Sequence, residues 1–220
     1  MQFNTEEGMY ISVPTDCRER NDMLKRVLDT QGQWVIWDLY GGVGGDAVQF
    51  QVLFPRCTLT VVQAPVTTST DWMGRFERLQ RNVRQIDPAT KCVCTSNTDF
   101  INATEKDTRV DLVYCDPPWY SGKEPLSEWA FVDNLLQEVL TPLSQKGIHP
   151  RYLCIKAMYQ YSVLSPLLSK FDHKFIAETC PARKKDKNNY FFILLESLQG
   201  GKSADVLNDR CTATRFRVWW

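Results

Sequence analysis

Gln33-Trp34-Val35-Ile36-Trp37-Asp38-Leu39 runs into Tyr40-Gly41-Gly42-Val43-Gly44-Gly45-Asp46, and this stretch decides the fold. Its first part is an apolar run of strand length, the pattern of a strand buried on both faces. Four glycines in five positions follow, more than a tight turn between a strand and a helix needs. Glycine adopts positive φ and lets a ligand approach the backbone closely. Residues 46–53 then read as a helix. A strand, a glycine-rich loop and a helix in that order form the setting in which a nucleotide or nucleoside lies over a strand end. The spacing is neither the G-x-x-x-x-G-K-[ST] of a phosphate-cradling loop nor the G-x-G-x-x-G of a dinucleotide site. An ordinary strand–helix turn is the competing reading.

Working outward, further apolar runs predict strands over 57–62, 91–95, 110–115 and 151–157, with a closing antiparallel pair over 174–179 and 190–196. Helical spacing is read between them over 71–85, 128–140 and 162–170. Alternating strands and helices imply an α/β fold: a doubly wound, mainly parallel, Rossmann-like sheet with a final antiparallel strand. Right-handed crossovers bring the loops at the strands' carboxyl ends to one edge. The expected organisation is an extension over 1–30 with a helix near 16–28, a domain over 31–199, and a polar tail over 200–220. Trp34, Trp37, Trp72 and Trp129 fall at core-facing spacing.

The chain has 220 residues, enough to bury a core without staples, with 26 basic and 26 acidic residues. A formally neutral chain is not held on nucleic acid by bulk charge alone, although a local basic groove remains open. No apolar run approaches the roughly 20 residues that span a bilayer. The first 15 residues lack the basic start of a secretory signal. The eight cysteines form no C-x-x-C pair and only two histidines are present, so buried thiols in a reducing compartment are expected and a metal site is not.

A second unusual stretch, Asp116-Pro117-Pro118-Trp119, follows the fourth strand. Consecutive prolines fix φ, remove N–H donors and hold the loop extended with its carbonyls free. The Asp116 side chain and the Pro117 carbonyl suit an exocyclic amine, and Trp119 suits the base that carries it. Such an amine is a weak nucleophile, so aiming its lone pair supplies most of the rate. A packed, proline-rich turn is the bland alternative.

These residues resemble a known family. The segment from Asp38 to Phe50 is similar to the D-x-F-x-G-x-G-G-N-x-x-Q-F signature of trimethylguanosine synthases. Glu7-Gly8-Met9-Tyr10 with Ser12-Val13-Pro14 resembles their entry segment. Thr98-Asp99-Phe100 resembles their G-D-F, and Asp111 to Trp119 resembles their D-V-V-F-x-S-P-P-W. The four matches keep the family's order and span residues 7–122. The resemblance implies a class I fold and S-adenosylmethionine as cofactor. It implies methylation of the exocyclic N2 of a 7-methylguanosine cap, with capped RNA as partner. A monomer in the nucleus or cytoplasm is expected, in a compact, virus-like or unicellular version.

By the same resemblance, Asp38, Tyr40, Gly42 and Gly44 shape the methionine and ribose end of the cofactor pocket, and a side chain at Gly44 is expected to fill ligand space. Gln63 faces the ribose, Asp99 accepts the adenine amino group, and Phe100 lies nearby. Asp116 and Pro117 serve the target amine, with Asp116 also against the cofactor, and Trp119 stacks on the cationic cap base. Lys156 is expected to contact a cap phosphate. Arg183-Lys184-Lys185-Asp186-Lys187, or Arg18, Arg20, Lys25 and Arg26, are further candidates. Three positions depart from the family: Asp46 stands for Asn, Asp116 for Ser, and Gln63 for the Asp that grips the ribose hydroxyls. Asp116 makes the loop read like adenine-N6 and cytosine-N4 methyltransferases, so an adenine-N6 enzyme is an alternative. A non-catalytic cap-binding or docking module, suggested by Gln63, is another.

Overall fold

The computed structural model describes residues 14–65, 72–121, 123–180 and 190–198. The entry segment up to Val13, the basic run at 183–187, the tail over 200–220, Cys211 and the Trp72 side chain lie outside them. The helices are α1 (Pro14–Val27), α2 (Gly45–Leu53), α3 (Trp72–Arg84), α4 (Asn97–Ala103), α5 (Glu128–Leu135), α6 (Thr141–Gln145) and α7 (Tyr161–Leu164). The strands are β1 (Trp34–Asp38), β2 (Cys57–Gln63), β3 (Lys91–Cys94), β4 (Leu112–Cys115), β5 (Tyr120–Ser121), β6 (Glu124–Pro125), β7 (Tyr152–Ala157), β8 (His173–Thr179) and β9 (Phe191–Ser197).

Seven strands form one sheet in the order β3-β2-β1-β4-β7-β9-β8. The first five are parallel and β9 pairs antiparallel with both β7 and β8. The doubly wound, mainly parallel sheet read from the sequence is therefore present. Progress from β1 to β3 runs one way across the sheet and from β4 to β7 the other. The carboxyl ends of β1 and β4 thus flank the point where strand order reverses, where open α/β sheets bind ligands.

Side-chain alternation divides the core between the two faces. Ile36, Leu112, Tyr114 and Cys154 join α1, α2 and α3 on one face. Trp37, Val113, Leu153 and Ile155 join α4 to α7 on the other. Helix α1 belongs to the first layer through Met23 and Leu24, both at most 1% exposed. Burying a side chain of that size contributes roughly 1.5–3 kcal/mol. Its Arg20 is also fully buried. That corrects the expectation of a phosphate contact at Arg20: the guanidinium lies 4.3 Å over the Phe50 ring and 5.1 Å over the Tyr114 ring, paired with Asp46.

Three features were not expected. Residues 97–103 form α4, capped by Ser96, whose Oγ accepts from the Asp99 N–H at 3.0 Å. The segment after Trp119 folds into the β5–β6 hairpin. The helix expected over 128–140 contains a π turn at Leu136–Leu140. Trp34 and Trp37 are core residues at 8% and 3% exposure, as their spacing predicts, but Trp129 is 58% exposed. It occupies the second position of α5, where the helix turns that side chain away from the sheet.

Candidate active site

The glycine loop leaves β1 and turns into α2. Its backbone is tied to β2 by the Gly41 N–H donating to the Val62 carbonyl at 2.9 Å. The glycines do different work. A Cβ at Gly44, where φ is +92°, would lie 2.8 Å from Val83 Cγ2 and 3.2 Å from Leu79 Cδ1. Gly44 is therefore where α3 packs against the loop, which corrects the expectation that a side chain there fills ligand space. At Gly42, with φ +54°, a Cβ would meet nothing within 4 Å. Gly42 is the glycine that faces open space.

Gln63 ends β2 beside this loop. Its Oε1 accepts from the Gly42 N–H at 2.6 Å and its Nε2 donates to the Ala64 carbonyl at 2.8 Å. Both ends of the amide are thus engaged in holding the loop. Tyr40 points the other way: its hydroxyl donates to Glu138 in the π turn at 2.8 Å. Burial and the neighbouring acid raise the Tyr40 pKa, so the phenol stays protonated.

Asp38 is completely buried at the end of β1. Among the described residues its Oδ1 accepts only a long bond, 3.3 Å, from the Tyr40 N–H, and its Oδ2 has no hydrogen-bond partner. Burial, reinforced by the nearby Asp46 carboxylate, pushes its pKa up to about 8. A buried carboxyl oxygen without a donor is an acceptor held for something else.

Across the strand-order reversal, Asp38 is in register with Tyr114 on β4, two residues before Asp116. Asp116 is engaged through one of its two oxygens. Its Oδ2 forms an ion pair with Lys156 Nζ at 2.8 Å, the two side chains being 19% and 5% exposed. The Lys156 ammonium also sits 5.1 Å from the Trp119 ring centre and 4.9 Å from that of Tyr190. The Trp119 and Tyr190 rings are 5.2 Å apart and tilted by 41°. Burial raises the Asp116 pKa against the opposing pull of Lys156, and Asp116 in turn raises that of Lys156 against burial. Lys156 is therefore an internal counter-ion beneath the Asp-Pro-Pro-Trp loop. This corrects its expected role as a phosphate contact, since a side chain buried in an ion pair does not reach a solvent-borne phosphate. Pro117 is buried, whereas Trp119 is half-buried against both core layers.

Asp99 and Phe100 lie on α4, past the end of β3. The Asp99 carboxylate accepts from Ser96 Oγ at 2.7 Å, beside the N-cap of α4, and the residue is exposed. It lines an open groove of about 590 Å³ beside β3 with Val93, Thr95 and Phe100. Phe100 is only 7% exposed and packs edge-on to Trp37 at 4.9 Å. Sequence reasoning missed the Arg20–Asp46 pair, which docks α1 on the first turn of α2. The departure of Asp46 from the Asn of the trimethylguanosine synthase motif was the available signal, because a largely buried carboxylate calls for a cation partner.

No protein-family model matches the chain, and no curated protein sequence matches it. Solved structures do. The methyltransferase domain of METTL16 is 12% identical with a TM-score of 0.60, covering 84% of each chain. A putative RNA methyltransferase from Pyrococcus horikoshii is 14% identical with a TM-score of 0.57, covering 89% of this chain and 90% of that one. A putative tRNA (m1A22) methyltransferase from Streptococcus pneumoniae, in complex with S-adenosyl-L-methionine, is 12% identical with a TM-score of 0.54, covering 85% and 73%. Such identities speak for the fold, and with the strand order and the glycine loop they agree on one: the chain has the fold of the class I S-adenosylmethionine-dependent methyltransferases.

Proposed function

We propose that this chain is an S-adenosylmethionine-dependent RNA methyltransferase acting on the exocyclic N2 of a 7-methylguanosine cap. The observation that carries the reading is the pairing of two loops at adjacent strand ends. One carries a buried Asp38 oxygen with no hydrogen-bond partner among the described residues and, four residues on, Gly42, where a Cβ would meet nothing within 4 Å. The other presents Asp-Pro-Pro-Trp. RNA methyltransferases among the similar solved structures support an RNA substrate. The cap is favoured by the ordered matches to the trimethylguanosine synthase motifs.

The residues present fit the cofactor at its amino-acid end, where Asp38 accepts an ammonium group and Gly42 leaves room for the chain. They fit the ribose less well, because Gln63 is engaged by Gly42 and Ala64. When bound, S-adenosylmethionine supplies an electrophilic methyl group on a sulfonium. The protein's part is to aim the amine. Lys156 holds Asp116 through Oδ2, while Oδ1 makes no hydrogen bond among the described residues and is the oxygen left to accept from the amine. The Pro117 carbonyl is the second acceptor. The proton displaced by the methyl is strongly acidic, so no base with a tuned pKa is needed. Stacking on the exposed part of Trp119 orients the base.

A second reading, a non-catalytic module on the same fold, is favoured by the engagement of both Gln63 and Asp116 within the protein. Incubation with labelled S-adenosylmethionine separates the readings. Transfer to 7-methyl-GTP but not to GTP supports cap methylation. Transfer only to an adenine-containing oligonucleotide moves the assignment to adenine N6. Cofactor binding without transfer to any acceptor favours the non-catalytic module.

A further inference from the structure

We propose that Asp38 takes up the ammonium group of the amino-acid ligand in exchange for its own proton, so that cofactor binding releases a proton. The inference rests on the cofactor reading above and deepens it. Its basis is the charge arrangement around one atom. Asp38 is 0% exposed and, among the described residues, its Oδ2 has no partner and the only hydrogen bond it receives is the 3.3 Å contact from the Tyr40 amide. The nearest charged groups do not neutralise it. Asp46, on the first turn of α2, is paired with Arg20 of α1. Asp116, on the loop after β4, is paired with Lys156 of β7. The cations on this face are thus already opposed by other carboxylates. Other titratable neighbours are the Cys92 and Cys115 thiols of β3 and β4 and the Tyr114 phenol in register with Asp38, and burial keeps them protonated.

A carboxylate without a counter-ion does not persist in such a place. Without a ligand, Asp38 is therefore a neutral acid at neutral pH, in line with a pKa pushed up to about 8. A ligand ammonium alongside Gly42 provides the missing cation. The carboxyl O–H bond breaks, the proton leaves to solvent, and a charge-assisted N–H···O⁻ bond forms in its place. The sign follows from linkage. The bound form needs Asp38 ionised, so affinity falls as pH drops below the pKa of the free protein.

The test is isothermal titration of S-adenosylhomocysteine, which carries the same ammonium group, into the full chain at pH 7 in buffers of different ionisation enthalpy. The expected result is release of about 0.9 proton per site, and binding about ninefold weaker at pH 6 than at pH 7. Asp38→Asn should bind weakly at both pH values with no proton release. Its melting temperature at pH 7 should match or exceed that of the parent, because it replaces a neutral acid with a neutral amide. Binding by the parent without proton release and without weakening at pH 6 overturns the proposal while leaving the cofactor reading standing. Absence of binding by the parent to either S-adenosylmethionine or S-adenosylhomocysteine removes the cofactor reading, and the proposal with it.

Discussion

The loops after β1 and β4 sit side by side at the strand-order reversal and are built on opposite principles. The glycine loop follows a strand ending on an acid with no ion-pair partner among the described residues, and at Gly42 a Cβ would meet nothing within 4 Å. The Asp-Pro-Pro-Trp loop ends its strand on an acid paired within the protein, under two aromatic rings. On the first, one carboxyl oxygen has no partner among the described residues, whereas on the second one carboxyl oxygen is paired with Lys156. The contrast teaches that the uncompensated acid lies on the glycine side. The proline loop contributes position, held by its own buried ion pair.

The largest effect should come from breaking that pair. Lys156→Met leaves Asp116 without its buried partner and should cost about 3–5 kcal/mol, read as a fall in chemical-denaturation stability. The corresponding change on the other loop, Asp38→Asn, should cost nothing measurable at pH 7. Equal losses would erase the distinction between the loops.

Next in size is Gly44→Val. Crowding against Val83 and Leu79 and a left-handed φ should together cost about 2–5 kcal/mol. Gly42→Ala, with nothing within 4 Å of the new Cβ, should lose only about 1 kcal/mol of backbone preference. Thermal melts of both variants check the difference.

Trp119 and Trp129 sharpen the comparison further. Trp119→Ala should destabilise, though by less than the roughly 3–5 kcal/mol of a fully buried Trp, because the ring is half-buried against both core layers. Trp129→Ala, at a 58% exposed site, should stay within about 0.5 kcal/mol of the parent.

The fold was legible from the sequence because its signals are local and strong. The apolar runs of β1, β2, β4, β7 and β9 each carry more than one face's worth of buried residues. The glycine cluster and the double proline mark the two loops outright. What stayed hidden depended on contacts distant in sequence. Lys156 lies 40 residues from Asp116 and Arg20 lies 26 from Asp46, so neither reads as an internal counter-ion from spacing. The glycines looked interchangeable because nothing in the sequence says which faces α3 and which faces open space. Trp129 looked like core because helical periodicity does not reveal which face of a helix's first turn the sheet covers. Helix α4 was missed although Ser96, three residues before Asp99, was available as a helix N-cap.

The smallest expected effect falls on Gln63, whose amide holds the glycine loop. Gln63→Ala should cost about 0.5–1.5 kcal/mol through the lost Gly42 bond. Gln63→Asp should not tighten the cofactor as the family pattern suggests, because the shorter side chain also gives up that bond. Titration of both variants with S-adenosylmethionine checks this.

The most direct measurement compares S-adenosylmethionine affinity in the Gly42→Ala and Gly44→Ala variants, each with its melting temperature. The open side of the loop is at Gly42 and the packing side at Gly44. Gly42→Ala should therefore keep most of its stability and bind at least tenfold more weakly. Gly44→Ala should melt lower and, while folded, bind nearly as well as the parent. The reverse pattern, or parental affinity in Gly42→Ala, would contradict the account.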